Sequence, residues 1–207
     1  MLPWILLTAF ALTWLLVAEA RSSRSGVLLF KPLASAGFVA VALALGAPFS
    51  RYSEVLLLAL LLSWLGDFLL MFDRLFLAGL VSFALAHAAF AAAFALRGQS
   101  APWALAALAV LAAAAGVIVR WLRPHLPADM HIPVYVYVGA ITIMVALAAG
   151  AAAAGSPWMI LAGAVAFYLS DLSVANDRFV HESFFNKLWG LPLYYAAQIL
   201  LAASVRA

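Results

Sequence analysis

Eight apolar stretches, each long enough to cross a bilayer, follow one another with only short polar connections between them, and this leaves the chain few possible folds. They lie near residues 2–20, 32–49, 55–72, 75–96, 102–120, 132–149, 157–174 and 188–205. A spanning helix needs about 20 predominantly apolar residues. Strands of a membrane barrel would alternate apolar and polar at every second position, and these stretches do not. The connections are RSSRSGVLLFK, SRYSE, Asp73-Arg74, RGQSAP, RPHLPADMHIP, GAAAAGSP and NDRFVHESFFNK, too brief to insert a soluble domain. The expected fold is all-α, a polytopic bundle of eight transmembrane helices forming one membrane domain over residues 1–207.

Composition closes the remaining routes. The chain is 69% hydrophobic and 9% charged, against about 45–50% and about 25% in globular proteins. It has too little polar surface to face water and too much apolar surface to stay disordered. With no cysteine it has no disulfide, no thiolate metal site and no cysteine nucleophile. A net charge of +3 is no nucleic-acid signature, so no nucleic acid is expected as a partner.

The positive charges read instead as topology signals, because Lys and Arg concentrate in cytoplasmic loops. The odd-numbered connections hold Arg21, Arg24, Lys31, Arg74, Arg120, Arg123, Arg178 and Lys187, whereas the even ones and the C-terminus hold only Arg51, Arg97 and Arg206. The expectation is a cell-membrane protein with cytoplasmic odd loops and both termini outside. Ala18-Glu19-Ala20 resembles a signal-peptide cleavage site, but residues 1–17 carry no Lys or Arg, so the first helix is expected to be retained.

The two halves of the chain also resemble each other. Gly66-Asp67 ends the third span as Ser170-Asp171 ends the seventh, and a further aspartate follows each six residues on, at Asp73 and Asp177. GLVSFALAHAAF (79–90) aligns with GLPLYYAAQILL (190–201), and Lys31-Pro32 before the second span is matched by Ile132-Pro133 before the sixth. Two parallel four-helix repeats would bring Asp67 and Asp171 to one depth.

An ionisable group within a span costs about 2.5–3.5 kcal/mol on insertion scales and is a functional candidate for that reason. Apart from Glu19 and Arg120 at the very ends of their spans, three lie within them: Asp67, His87 and Asp171. Tyr135, Tyr137, Tyr194, Tyr195, Gln198 and Ser170 fall at comparable depths, and Lys31, Asp73, Asn176, Asp177 and Arg178 lie just beyond, on the same face. Polar chemistry thus gathers in the cytoplasmic half. His125, His131 and His181 read as solvated loop residues. No His-Glu-x-x-His or histidine triplet at metal spacing occurs, and neither does a Gly-x-Ser-x-Gly elbow or phosphate-cradling glycine loop, so no metal or cofactor is expected. Two intramembrane carboxylates suit three functions at this point: acid catalysis on a lipid, proton-coupled transport, or lipid binding. Proline breaks at mid-span would favour transport, and Pro32, Pro48, Pro102, Pro133, Pro157 and Pro192 are expected at span ends.

Lys31-Pro32, GDFLLMF (66–72), the Gly79, Phe83, His87 spacing, GAVAFYLSD (163–171) with Asn176-x-Arg178-Phe179, and YYAAQ (194–198) together resemble the YhhN family of lysoplasmalogenase-like membrane proteins. The resemblance covers about residues 31 to 204, with Phe90 standing where a tyrosine is expected. It implies hydrolysis of the vinyl-ether bond of a lysophospholipid, lysoplasmalogen, by a pair of acids mapping onto Asp67 and Asp171. A vinyl ether resists base and yields to acid: a proton goes to the β-carbon, an oxocarbenium ion forms, and water captures it. Burial raises a carboxyl pKa and a neighbouring carboxylate raises one of two further, and glycosidases meet a similar cation with paired carboxyl groups. On this reading His87, Tyr135, Tyr194, Tyr195, Gln198 and Asn176 position substrate and acids, while Lys31 and Arg178 hold the lipid phosphate. A hydrolase of lipid esters or amides would use the same site on a different bond.

Overall fold

Serine side chains, rather than the edges of the apolar stretches, decide where several helices begin. A computed structural model describes residues 1–206, and among them eight α-helices run in order: α1 Leu2–Ala20, α2 Arg24–Ala44, α3 Arg51–Leu69, α4 Phe76–Ala95, α5 Ala101–Leu122, α6 His131–Ala153, α7 Trp158–Ala175 and α8 Phe184–Ala203. Each is long and apolar enough to cross a membrane.

The Ser23 side chain accepts from the Gly26 amide, starting α2 at Arg24 rather than near residue 32. Ser50 and Ser53 form a reciprocal capping box that starts α3 at Arg51 rather than near 55, satisfying amides that a helix start leaves orphaned. Ser183 likewise accepts from the Phe185 amide and starts α8 at Phe184 rather than near 188. Two prolines expected at span ends therefore lie inside helices, Pro32 in α2 and Pro192 in α8. Packed neighbours make such breaks tolerable in a membrane helix. α7 runs on into a π-helical turn, Asn176–Val180.

Consecutive helices pair as hairpins, α1 with α2, α3 with α4, α5 with α6 and α7 with α8. The hairpins then close into a ring, with α2 on α3, α4 on α6, α6 on α7 and α8 on α2. The second half thus repeats the contact order of the first: α2–α3 corresponds to α6–α7, and α4–α6 to α8–α2. In that correspondence α3 matches α7. Small residues set the closest approaches, as is usual between membrane helices. A methyl group on Gly66 would strike the Phe83 ring, holding α3 to α4, and one on Gly190 would strike Ser173, holding α8 to α7.

The end of the bundle at the even-numbered connections is filled by Phe38, Leu56, Leu60, Phe90, Phe94, Met144, Ile160 and Leu201. A cavity of about 610 Å³ occupies the opposite half, where α3, α5 and α7 end and α2, α4, α6 and α8 begin.

Candidate active site

Two aspartates on corresponding helices line this one cavity. Asp67, on α3, is 3% exposed. Its Oδ2 accepts from Ser35 Oγ of α2 at 2.6 Å and from the Tyr194 hydroxyl of α8 at 2.7 Å. Lys31 Nζ stands 3.7 Å from Oδ1. Lys31 and Ser35 lie one turn apart on α2, so a single helix face delivers an ammonium and a hydroxyl to one carboxyl group. Tyr195 supports that face from behind, donating to the Lys31 carbonyl at 3.3 Å and lying 3.2 Å from Ser35 Oγ.

Asp171, on α7, is held by different chemistry. Its Oδ2 accepts from the Tyr137 hydroxyl of α6 at 2.8 Å and lies 3.2 Å from His87 Nε2 of α4. His87 Nε2 is also 3.0 Å from the Tyr137 oxygen. The imidazole is fully buried, and the tautomer with hydrogen on Nε2 lets it donate to the carboxylate. Between the two sites runs a line of edge-on rings, with Tyr194 5.3 Å from Phe167 and Phe167 4.7 Å from His87.

The mouth is strongly charged. Lys187 Nζ meets Glu19 at 3.1 Å, Asp177 at 3.9 Å and Glu182 at 4.0 Å, which ties the start of α8 to the end of α1 and to the π-turn. Arg178 pairs with Asp73 at 2.9 Å, with its guanidinium 4.3 Å above the Phe76 ring. The π-turn is pinned by Asn186, which accepts from Asn176 at 2.9 Å and donates to the His181 carbonyl at 2.8 Å.

Of the residues singled out from sequence, Lys31, Asp67, Asp171, Arg178 and Tyr194 line the cavity. His87 and Tyr195 lie behind it, in contact with an aspartate or with its supporting face. Asn176 braces the turn through Asn186. Gln198 is fully buried one helical turn beyond Tyr194. Tyr135 is placed elsewhere, its ring stacked on His131 at 5.9 Å. Tyr137 takes the position expected for it, because residues two apart differ by about 200° around a helix. The face that Val134, Tyr137, Val138 and Ile141 share was readable from that phase. Ser35, Glu19 and Lys187 were also missed. Ser35 could have been found one turn from Lys31, whereas nothing local marks the Glu19–Lys187 pair. Among the described residues no three His, Asp or Glu side chains converge as a metal site would require.

The YhhN family matches residues 26–205. A lysoplasmalogenase of Mycobacterium bovis is 37% identical over 180 residues, covering 82% of this chain and 67% of the relative. The human proteins named lysoplasmalogenase TMEM86B and lysoplasmalogenase TMEM86A are 34% and 35% identical over 159 and 153 residues, covering 76% and 70% of this chain and 66% and 62% of their own lengths. No solved structure matches the chain.

Proposed function

Because the chain belongs to the YhhN family, we propose that this multi-pass membrane protein is a lysoplasmalogenase, hydrolysing the vinyl ether of a lysoplasmalogen to a fatty aldehyde and a glycerophospho-alcohol. The observation that carries the reading is the pair of aspartates on the wall of one cavity, each with its own set of donors.

The two environments suit two roles. Asp67 accepts from two hydroxyls and faces an ammonium, partners that match an ionised carboxylate. Asp171 receives both of its contacts on Oδ2, which leaves Oδ1 to meet the substrate. Asp171 therefore delivers the proton to the β-carbon of the vinyl ether. The C=C electrons form the new C–H bond, and positive charge appears on the ether carbon and oxygen. Asp67 stabilises that oxocarbenium ion as a fixed anion. Water adds to the ether carbon and gives up a proton to the Asp171 carboxylate, restoring the acid. The hemiacetal then breaks its C–O bond as its hydroxyl proton is passed to the leaving oxygen, giving aldehyde and alcohol. The proton given to carbon stays in the aldehyde, one from water replaces it on Asp171, and only water is consumed.

The loop charges support placing the site at the cytoplasmic face of the cell membrane with both termini outside. A side-by-side assay on the purified protein tests the reaction. Lysoplasmalogen should release aldehyde, while the 1-acyl lysophospholipid with the same headgroup should release no fatty acid. Fatty-acid release without aldehyde would make the protein an esterase and overturn the proposal.

A further inference from the structure

The ring of helices is closed on one side and loose on the other. In the correspondence between halves, α1 matches α5 and α8 matches α4. α1 packs firmly on α8 as well as on its hairpin partner α2. α5 packs on α6 and is not sewn to α4 in the same way. Its surface shows this, since Leu122 alone of its residues is buried. The seam between α4 and α5, floored by α6, is the place where the two-fold arrangement of contacts fails.

The cavity reaches that seam, and its polarity is divided accordingly. On the side of α1, α2, α3 and α8 it is lined by Glu19, Lys31, Asp67 and Lys187. On the side of α4, α5 and α6 it is lined by Leu80, Ile118, Val138 and Ile141. Tyr137 lies on the same face of α6 as Val138 and Ile141, and its hydroxyl holds Asp171. The proton donor therefore sits where the charged part meets the apolar part.

We infer that the α4–α5 seam is a lateral port through which the hydrocarbon chain of the lysolipid slides in from the bilayer and the aldehyde slides out, with Leu80, Ile118, Val138 and Ile141 as its track. The inference rests on the hydrolase reading for the identity of the chain. A lysolipid with its headgroup at the charged mouth and its ether at Asp171 has its first chain carbons beside Val138, and the rest runs out between α4 and α5. Lipid tails are as apolar as this track, so the chain gains no hydrophobic free energy by entering it. The track orients the chain and does not measure its length.

The chain has no cysteine, so single cysteines can be introduced and labelled cleanly. Ile118→Cys places a fluorophore in the track, Leu80→Cys places one on its opposite wall, and Val117→Cys places one on the lipid face of α5, where Val117 is 69% exposed. The probe is a non-hydrolysable 1-alkyl lysophospholipid with a nitroxide on its chain, added to phosphatidylcholine vesicles holding the labelled protein. Quenching from the two track positions should saturate and be reversed by unlabelled alkyl lysolipid, while quenching at Val117→Cys should rise linearly and resist competition. Linear, uncompeted quenching at all three positions would overturn the port. Thiolating Ile118→Cys with a long alkyl group should cut aldehyde release from long-chain lysoplasmalogen about tenfold while sparing a short-chain vinyl ether, a loss of positioning rather than of chemistry. Equal loss on both substrates would overturn it as well. The two readings fail separately: absence of aldehyde from the unmodified protein sinks the hydrolase and leaves the quenching to decide the port, and uncompeted quenching beside normal aldehyde release sinks only the port.

Discussion

Tyr137 donates its hydroxyl proton to Asp171 Oδ2 across 2.8 Å, joining α6 to α7 at the cavity wall. A hydrogen bond to a charged group contributes about 1.5–3 kcal/mol, so if it acts mainly in the transition state, Tyr137→Phe should lower kcat by about ten- to a hundredfold. KM should change little, because the phenyl ring still fills its place. Tyr135→Phe, two residues away and stacked on His131, should leave both constants at wild-type values. Steady-state aldehyde release from the two variants compares them directly.

Replacing either carboxyl group by its isosteric amide separates chemistry from folding. Asp171→Asn removes the proton donor, and general acid catalysis contributes about 10²–10⁴-fold. Asp67→Asn removes the anion beside the cation, with an expected loss of comparable size, since one electrostatic stabiliser is worth about 10²–10³ in kcat. Both variants should insert in the membrane, with Asp67→Asn melting earlier because Lys31 loses its anion. Wild-type aldehyde release from either would end the two-carboxyl mechanism.

These residues also show where sequence suffices. Asp67, Asp171 and His87 were visible because an ionisable group in a membrane span costs free energy and stands out against alanine and leucine. The eight spans were visible for the complementary reason. Helix starts were not, because Ser23 and Ser50 cap helices through local hydrogen bonds that a hydropathy reading does not register. Tyr135 and Tyr137 are equal in composition and depth, and only the rotational phase of α6 separates them. The Lys187–Glu19 pair joins residues far apart in the chain and depends on α8 packing against α1.

The Lys31–Asp67 pair predicts a stability pattern distinct from the activity pattern. Lys31 is 16% and Asp67 4% exposed at the side chain, and they stand 3.7 Å apart. Removing one member of a buried pair is strongly destabilising, about 3–5 kcal/mol, whereas removing both is often nearly neutral. The partial exposure of Lys31 places its single-variant cost toward the low end. Lys31→Met should therefore melt earlier than wild type, and Lys31→Met combined with Asp67→Asn should recover much of the loss while remaining inactive. Thermal unfolding in detergent, read beside aldehyde release, distinguishes a pair that holds the fold from one that also performs chemistry. Recovery of both properties in the double variant would remove Asp67 from the mechanism.

Protonation at carbon leaves a mark in the product. In D2O the acid on Asp171 exchanges with solvent, and the deuteron it delivers to the β-carbon stays there. The aldehyde, trapped at once by reduction to the alcohol, should carry one deuterium at the carbon next to the former carbonyl. Attack on an ester or amide would leave the chain unlabelled. Mass spectrometry of the trapped alcohol checks the expectation, and unlabelled product would exclude acid delivery to carbon.

Arg178 tests what the mouth contributes. Its ion pair with Asp73 is largely exposed, 41% and 89% at the two side chains, and such pairs add only about 0–1 kcal/mol to stability. Arg178→Ala should therefore melt close to wild type. The same guanidinium lines the cavity and lies over Phe76, 4.3 Å from the ring centre, where it can meet an incoming phosphate without rebuilding the site. Loss of that contact should raise KM several-fold with kcat within about twofold, the pattern of binding shared by ground and transition states. Arg178→Lys should recover only part of the affinity, because an ammonium cannot reproduce the two-point contact of a planar guanidinium with phosphate. A fall in kcat at unchanged KM would instead place Arg178 in the positioning of Asp171, through the π-turn that carries Arg178 and continues α7.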